Sequence, residues 1–251
     1  MEQKIISIAR SLGINVVGVT TTLNYSYLYS TLIERARKGY NSEFEEKDIN
    51  KRLDVRNVFP QCKSIIAIGI SYAPGYKKQI SSKDGLLSVV SFGEDYHVKI
   101  KNILIKLANE IEKHMEFNYV ACVDTTPLLD REICKNAGIG QYGKNTMLIN
   151  DNYGSFIYIG YLLTDIEIAK NKLEETIDIC NGCEICVKSC PNNAILKNGG
   201  INSKRCVSYL TQTKNYIPIQ FRHNMGNQIY GCDVCQLTCP KNKINSDLKT
   251  T

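Results

Sequence analysis

The sequence predicts an α/β or α+β layer domain followed by a cysteine-dense segment. Helical and extended hydrophobic patterns mix over roughly the first 170 residues, and 43% of the chain is hydrophobic against 22% charged. Eight of the 11 cysteines fall between Cys180 and Cys239. A chain of 251 residues is long enough to bury a core. We expect the boundary in the charged stretch Lys170–Glu175, which gives domains at 1–170 and 171–251.

The first part opens with alternating helices and strands. Helical spacing of apolar residues predicts a helix that ends at Gly13, Val16–Val19 predicts a strand, and Tyr25–Lys38 predicts a second helix. Ser64–Tyr72 is a continuous apolar run, which is typical of a strand buried on both faces. Asp95–Met115 predicts a long helix. Its expected apolar side carries Val98, Ile103, Leu104, Leu107 and Ile111.

Further strands and one helix complete this part. Tyr119–Val123 predicts a strand. Thr126 and Pro127 are typical of a helix N-cap and first helical residue, and that helix is expected to end near Gly138. Two more strands are expected at Thr146–Ile149 and Phe156–Leu163.

Composition excludes several classes of protein. No apolar run approaches the ~20 residues that a membrane helix requires, and the amphipathic start is not a secretory signal. The cysteine content is below that of a disulfide scaffold, and the number of cysteines is odd. These features favour a reduced, cytoplasmic protein with thiolate ligands. The isolated Cys62, Cys122 and Cys134 are expected to be buried structural thiols.

The cysteine-dense segment carries the strongest chemical signal. From Cys180 to Cys190 it reads C-x2-C-x2-C-x3-C-P, the spacing of bacterial [4Fe–4S] sites in which the fourth cysteine ligates the other cluster. A second half has three cysteines, and Cys206 supplies an eighth ligand. Two zinc sites are the alternative. The predicted ligands are Cys180, Cys183, Cys186 and Cys239 for one cluster, and Cys190, Cys206, Cys232 and Cys235 for the other.

Three other features of the first part bear on chemistry. The run from Gly138 to Gly143 matches G-x-G-x-x-G, but a helix precedes it and a strand follows, the reverse of a dinucleotide site. The run from Asp95 to His97 begins like the D-x-H-x-x-G box of some cobalamin proteins, but the final glycine is absent. Asp124 follows a predicted strand, where an acid either faces a pocket or caps the next turn.

Several stretches between about residue 40 and residue 242 carry a family resemblance. They are EEKDINKRLD, FPQCKSIIAIGISYAP, SFGEDYH, VDTTPLLDREICKNAGIGQYGKN, the first cysteine run, KRCVSYLTQTK and IYGCDVCQLTCPKN. Together they resemble epoxyqueuosine reductase, the cobalamin- and iron–sulfur-dependent family of tRNA queuosine synthesis. The resemblance implies an α+β chain, with a nitroreductase-like cobalamin-binding α/β domain before a ferredoxin-like domain that holds two [4Fe–4S] clusters.

The resemblance also implies a reaction. Epoxyqueuosine in tRNA would be reduced to queuosine, with electrons relayed through the two clusters to base-off cobalamin and with Asp124 as the catalytic proton donor. An external low-potential protein such as a flavodoxin or ferredoxin would supply the electrons. Candidate cofactor or substrate contacts, each of which could equally be an ordinary surface or core polar residue, are Arg52, Tyr96, His97, Lys144, Ser208 and Lys214.

The sequence departs from the family in length. Full-length members continue into a C-terminal helical-repeat domain that helps to hold tRNA, whereas this sequence ends at Thr251, so a short form is expected. We expect a monomer with no membrane attachment. The formal charge of +6 falls to about +2 once two thiolate-bound clusters are counted, and the basic residues after Ile201 would either meet tRNA phosphates or offset the clusters.

Two other functions remain open on the sequence. One is reduction or dehalogenation of another small molecule by the same core. The other is an iron–sulfur electron carrier that serves a partner protein.

Overall fold

The chain folds into a sheet-centred part followed by a segment of short helices. The computed structural model describes residues 1–72, 84–168 and 177–242. The strands are β1 (Val16–Thr20), β2 (Ser64–Ser71), β3 (Leu86–Leu87), β4 (Tyr119–Cys122), β5 (Gln141–Tyr142), β6 (Leu148–Ile149), β7 (Ile157–Thr164) and β8 (Gln228–Tyr230). The α-helices are α1 (Glu2–Ser11), α2 (Tyr29–Arg37), α3 (Ile49–Leu53), α4 (Tyr96–Glu112), α5 (Asp130–Asn136), α6 (Ile185–Ser189), α7 (Val207–Leu210), α8 (Ile219–Arg222) and α9 (Val234–Leu237).

Four strands form an antiparallel sheet in the order β1-β2-β7-β4. The central strand β2 pairs along its whole length with β7, beginning with Ser64 opposite Thr164. Because successive side chains of a strand point to opposite faces, Ile65 belongs to one apolar cluster and Ile66 to the other. The continuous apolar run is therefore a strand buried on both faces, as predicted.

Helices cover both faces of this sheet. Side chains of α1 and α4 pack on one face, and side chains of α2, α3 and α5 pack on the other. Gly160 in β7 allows α4 to lie close, because a Cβ atom there would be 2.5 Å from Ile100 Cγ2. α4 thereby lies against both β7 and β4, which sets the position of its N-terminal turn. The expected α+β class is confirmed.

Most predicted elements are confirmed with shifted ends. The segment from Tyr25 contains a 3-10 turn at Ser26–Leu28 before α2 begins, and the strand expected at Thr146–Ile149 is reduced to β6. Helix α5 precedes the glycines after Asn136 and β5 follows them, so the predicted helix-before-strand order is confirmed.

The helix expected from Thr126 begins later than predicted. α5 starts at Asp130 with Leu129 as its N-cap residue. The Thr126 hydroxyl instead accepts the N–H of Leu128 at 3.4 Å in a local turn. That turn follows Asp124, whose φ of 39° directs the chain away from helical geometry. The prediction that Thr126 and Pro127 begin the helix is therefore wrong.

The apolar side predicted for α4 is wrong at Val98. This side chain is 49% exposed, whereas Leu104 is fully buried. Six residues at roughly 100° each separate the two by about 120° around the helix, so Val98 lies off the packed stripe. The buried stripe of α4 consists of Ile100, Leu104, Leu107, Ala108 and Ile111.

The segment after residue 176 packs directly on the sheet-centred part. β3 and β8, one from each part, pair in parallel. The buried Asp233 carboxylate accepts the Ser88 hydroxyl at 2.5 Å and the Val89 N–H at 2.7 Å. These contacts hold the cysteine-dense segment against the first part at several separate points.

The helices of this segment are short. Each of the four α-helices between residues 177 and 242 has five residues or fewer, which is below the length at which a helix is stable by itself. The boundary expected at Lys170–Glu175 lies outside the described residues, and the division into 1–170 and 171–251 stays a prediction. Within the described ranges, no helix combines the length and hydrophobicity needed to cross a membrane.

Candidate active site and cluster-binding segment

Asp124 lies in the loop immediately after β4. Its backbone has a φ of 39°, a left-handed conformation that Asp tolerates better than most residues. The side chain is 42% exposed, so the carboxyl group is open to a bound molecule. The Asp124 side chain also has protein partners, and its role as the proton donor stays a prediction.

Those partners come from the N-terminal turn of α4. The Tyr96 hydroxyl donates to Asp124 Oδ2. His97 Nε2 lies 2.8 Å from Asp124 Oδ1, and its Nδ1 lies 2.7 Å from Asp95 Oδ1. Asp95 is also the N-cap of α4, because Oδ1 accepts the His97 backbone N–H at 2.9 Å. The structure therefore joins three predicted residues, Asp124, Tyr96 and His97, in one hydrogen-bonded group.

Aromatic stacking holds the Tyr96 ring. Its centroid lies 4.0 Å from that of His97 and 4.9 Å from that of Tyr158, and Tyr158 in turn stacks on Tyr72 at 4.2 Å. Burial raises the pKa of Tyr96 well above its usual value, and the hydrogen bond to Asp124 raises it further. The phenol therefore keeps its proton and remains a donor to the Asp124 carboxylate.

A pocket of about 210 Å³ borders this group. It lies along the exposed side of α4 and beside the last residues of β4. Its lining residues are His97, Val98, Lys101, Ala121, Val123 and Thr125. A cavity of this size admits water and small solutes to the edge of the imidazole.

One set of four cysteines lies together in the second segment. Burial raises the pKa of the Cys186 thiol, and the nearby thiols of Cys180, Cys239 and Cys183 raise it further. Mutual repulsion of this kind operates between thiolates only over short distances. These four are the residues predicted to hold the first cluster.

The other four cysteines form a second set beside the first. Burial raises the pKa of Cys235, and the thiols of Cys206, Cys232 and Cys190 raise it further. Cys186 of the first set makes a smaller contribution, so the two sets adjoin. This grouping follows the crossover expected for a double-cluster run, in which each half of the motif lends one cysteine to the other half.

Backbone donors point at the cysteine sulfurs. The Lys144 N–H donates to Cys180 Sγ at 3.3 Å, and the Ala194 N–H donates to Cys190 Sγ at 3.2 Å. Hydrogen bonds to thiolate sulfur are one of the ways in which proteins tune [4Fe–4S] clusters. The eight cysteines, with N–H groups directed at two of the sulfurs, have the chemistry of [4Fe–4S] ligands, although no three acidic, histidine or cysteine side chains of the described residues are placed to share a single metal ion. The assignment of four cysteines to each cluster stays a prediction.

Two of the predicted contact residues are engaged elsewhere. Arg52 is buried, and its Nη1 lies 3.2 Å from Glu45 Oε2. The Lys214 N–H donates to Glu43 Oε1 at 3.3 Å. These contacts are with Glu45 and Glu43 and not with Asp124, and the roles of Arg52 and Lys214 as cofactor or substrate contacts stay predictions.

Two other predicted contact residues lie at the cysteine sets. Lys144 Nζ is 4.0 Å from Glu184 Oε1, in addition to the Lys144 N–H bond to sulfur. A backbone hydrogen bond from Ser208 lowers the pKa of Cys206 against the larger effect of burial, which raises it. Both residues therefore lie beside predicted cluster ligands, and their roles as cofactor or substrate contacts stay predictions.

The three isolated cysteines are buried, as predicted. Burial raises the pKa of Cys62 to about 11 and that of Cys122 to about 12. Burial likewise raises the pKa of Cys134. All three thiols therefore stay protonated at neutral pH and serve as small apolar groups.

Sequence reasoning missed two acids near the site. Asp95 could have been found, because an Asp directly before a helix and two residues before a His is a typical N-cap pattern. Asp130 gives no such signal, since its partner is distant in sequence: the Tyr161 hydroxyl donates to Asp130 Oδ1 at 2.6 Å. Burial raises the pKa of Asp130 to about 6, and the Asp124 charge adds to this.

Comparison with known proteins now places the chain. Residues 179–242 match a family model described as a 4Fe-4S double cluster binding domain. Residues 52–125 match a model described as Epoxyqueuosine reductase QueG, DUF1730. The second segment is therefore a double-cluster domain, as the cysteine spacing predicts.

Curated relatives match over nearly the whole chain. An epoxyqueuosine reductase of Bacillus cereus is 38% identical over an alignment of 248 positions, which covers 97% of this chain and 65% of the relative. One of Lactococcus garvieae is 38% identical over an alignment of 252 positions, which covers 98% of this chain and 71% of the relative. The chain thus spans about two thirds of the length of these relatives.

Solved structures agree with the sequence relatives. A crystal structure of epoxyqueuosine reductase with an epoxyqueuosine-modified tRNA-Tyr stem loop has a TM-score of 0.88 at 36% identity, covering 96% of this chain and 65% of the other. The catabolic reductive dehalogenase NpRdhA is 17% identical with a TM-score of 0.57, covering 95% of this chain and 31% of the other, and shares the fold alone. The chain belongs to the epoxyqueuosine reductase family.

Proposed function

We propose that this protein reduces epoxyqueuosine in tRNA to queuosine, with electrons relayed through two [4Fe–4S] clusters and with Asp124 as the proton donor. One observation carries the proposal beyond family membership. The partly exposed Asp124 carboxyl group accepts the Tyr96 hydroxyl and lies 2.8 Å from His97 Nε2, in the same chain that carries a double-cluster domain. A simple electron carrier has no need of such a carboxyl group.

The chemistry requires both electrons and protons. Conversion of an epoxide to an alkene consumes two electrons and two protons and releases one water molecule. Asp124 gives a proton to the departing oxygen, and the Tyr96 hydroxyl stabilises the carboxylate that remains. General acid catalysis of this kind contributes about 10²–10⁴-fold to a rate. The clusters supply electrons one at a time.

Cobalamin fits the residues of this site. Both ring nitrogens of His97 lie within hydrogen-bond distance of carboxylates, so His97 has no free nitrogen for cobalt, which agrees with base-off cobalamin. Tyr96 and His97, with Lys144 near the first cluster, are the residues that we propose to contact it. Bound cobalamin would supply a strongly reducing cobalt centre. The side chains of Asp124 and His97 are 42% and 41% exposed, which leaves them accessible to a bound cofactor and substrate.

The substrate would be tRNA. The relative solved with a modified tRNA stem loop supports this. So do cations that lie over aromatic rings in the second segment: Lys204 Nζ is 4.7 Å from the centre of the Tyr209 ring, and the Arg222 guanidinium is 4.5 Å from that of Tyr216. Lysine and arginine would neutralise phosphates and aromatic rings can stack on unpaired bases.

The cluster-binding thiolates bear on the compartment in which the enzyme works. Thiolate ligands and oxygen-sensitive clusters suit the reducing cytoplasm. We propose that a monomer acts there with an external low-potential donor such as a flavodoxin or ferredoxin.

Nucleoside analysis of tRNA tests the proposed function. The gene is expressed in a strain that accumulates epoxyqueuosine, and digested tRNA is analysed by mass spectrometry. We expect queuosine to replace epoxyqueuosine with the wild-type gene, and Asp124→Asn to reduce conversion at least 100-fold because an amide cannot give up the proton.

Asp165→Asn is the matched control, because Asp165 also follows a strand and accepts the Asn118 N–H at 2.8 Å. It should leave conversion unchanged. Unaltered epoxyqueuosine in the wild-type strain, with clusters and cobalamin loaded, would contradict the function. Full conversion by Asp124→Asn would contradict the role of Asp124.

A further inference from the structure

The stoichiometry of the proposed reaction poses a question about protons. Each turnover consumes two protons, whereas one carboxyl group holds one. Asp124 must therefore be reprotonated during each turnover, and its described polar partners are Tyr96 and His97. Tyr96 is a poor source, because burial and the Asp124 charge hold its proton on the phenol.

His97 has the geometry of a relay. Its Nε2 lies 2.8 Å from Asp124 Oδ1, and its Nδ1 lies 2.7 Å from Asp95 Oδ1. With Nδ1–H donating to Asp95, the Nε2 atom can either accept the Asp124 proton or return one. The hydrogen bond from His97 holds the pKa of Asp95 below its usual range, so Asp95 stays ionised and fixes the ring.

We propose that Asp95 and His97 form a proton relay that recharges Asp124 from solvent. The inference rests on the proposed function. In the relay, the O–H bond of Asp124 breaks as the departing oxygen takes its proton. A proton then passes from Nε2 to Oδ1, and His97 recovers a proton from water. His97 and Asp95 act through Asp124 and are positioning and relay residues, not groups that touch substrate.

The surroundings provide the path to solvent. The pocket of about 210 Å³ has His97 in its wall, together with Lys101. The charged or titratable groups in contact with the imidazole are the Asp95 and Asp124 carboxyl groups and the stacked Tyr96 phenol, and Lys101 lines the same pocket. The His97 side chain is 41% exposed, so water and small acids can reach it.

Chemical rescue separates a relay from a merely structural role. The protein is loaded anaerobically with clusters and cobalamin and assayed on an epoxyqueuosine-containing tRNA stem loop. His97→Ala should retain iron and, with cobalamin supplied in excess to offset the lost contact, should lose about 10- to 100-fold in turnover. Imidazole in the buffer should restore at least several-fold of the loss. Imidazole should not rescue Asp124→Asn, which lacks the group to be recharged.

Asp95→Asn isolates the carboxylate from its capping role. Asn caps helices as well as Asp does, so α4 should keep its start while His97 loses its fixed orientation. We expect a loss smaller than that of His97→Ala. The matched control is Asp48→Asn, at the N-cap of α3, where the side chain accepts the Asn50 N–H at 3.0 Å. It should turn over like the wild type.

A spectroscopic readout judges the relay independently of turnover. The chain has three histidines, so nitrogen-15 NMR of the oxidised holoprotein gives few ring signals. Asp95→Asn and Asp124→Asn should each shift the His97 ring nitrogens, and Asp48→Asn should not. The relay is overturned by unshifted His97 signals, by wild-type turnover of His97→Ala, or by a loss that imidazole does not restore. If the wild-type enzyme makes no queuosine, the proposed function is overturned. The NMR shifts then test only whether Asp95, His97 and Asp124 are joined by hydrogen bonds.

Discussion

The two parts of the chain are stabilised in different ways. Between residues 1 and 168, a four-stranded sheet is covered on both faces by apolar clusters that include the fully buried Ile65 and Leu104. Between residues 177 and 242, the helices have at most five residues. Few apolar side chains there are buried, among them Val207 and Leu210. The first part gains its free energy of folding from packing, whereas the second depends on cluster binding and on docking to the first.

Removal of a cluster ligand should produce the largest effect. Cys235→Ala takes one thiolate from the second set, and because ligand binding contributes to the folding of such a segment, we expect loss of that cluster and of turnover. Iron and sulfide should fall to about half. Limited proteolysis should cut after residue 176 while the sheet survives. Cys122→Ala, a buried thiol of the first part, is the control and should keep wild-type iron. A wild-type iron content in Cys235→Ala would contradict the statement that the second part, unlike the first, depends on cluster binding.

Truncation of a core side chain in the first part should produce the second-largest effect. Leu104→Ala opens a cavity in the stripe that packs α4 on the sheet and should cost about 2–5 kcal/mol of unfolding free energy. Val98→Ala, six residues earlier on the exposed side of the same helix, should change it by less than about 0.5 kcal/mol. Anaerobic urea unfolding monitored by circular dichroism measures both. Similar losses for the two variants would contradict the observed helix face.

A buried acid should produce the smallest effect. Burial raises the pKa of Asp130 to about 6, above the usual 3.8, so between these values the folded state binds more protons than the unfolded state. The protonated Asp130 carboxyl group therefore contributes its full stabilisation of the folded state below about pH 4. This contribution is lost as the pH rises through about 6.

Asp130→Asn removes this titration and keeps an oxygen for the Tyr161 hydroxyl. Relative to the wild type, the variant should gain about 1–2 kcal/mol in unfolding free energy between pH 5 and pH 8. Urea unfolding at the two pH values measures the gain. A pH-independent difference would show that Asp130 does not titrate in this range. Asp165→Asn, whose carboxylate is exposed, is the control and should show no such gain.

The same contrast explains what the sequence could predict. The spacing of the eight cysteines predicts their division between two clusters, and the continuous apolar run of β2 predicts its burial, so both features can be predicted from the sequence. The Asp124 group is assembled from β4 and α4 by packing, and its hydrogen bonds span 28 residues between Tyr96 and Asp124. The sequence and the family resemblance therefore indicate Asp124, Tyr96 and His97 separately but not their contact.

The errors have local causes. Val98 has an apolar side chain, but its place on the helical wheel depends on which stripe of α4 meets the sheet. The late start of α5 follows from the positive φ of Asp124, which no propensity of Thr126 or Pro127 reveals. Both errors lie close to the Asp124 group, where local preferences give way to the geometry of a site.

The central claim is that this chain carries out the reduction itself. The most direct measurement is mass spectrometry of an epoxyqueuosine-containing tRNA stem loop after anaerobic incubation with protein that holds both clusters and cobalamin, under a low-potential reductant. We expect conversion to queuosine by the wild type and at least 100-fold less conversion by Asp124→Asn. Unchanged epoxyqueuosine with the fully loaded wild-type protein would contradict it.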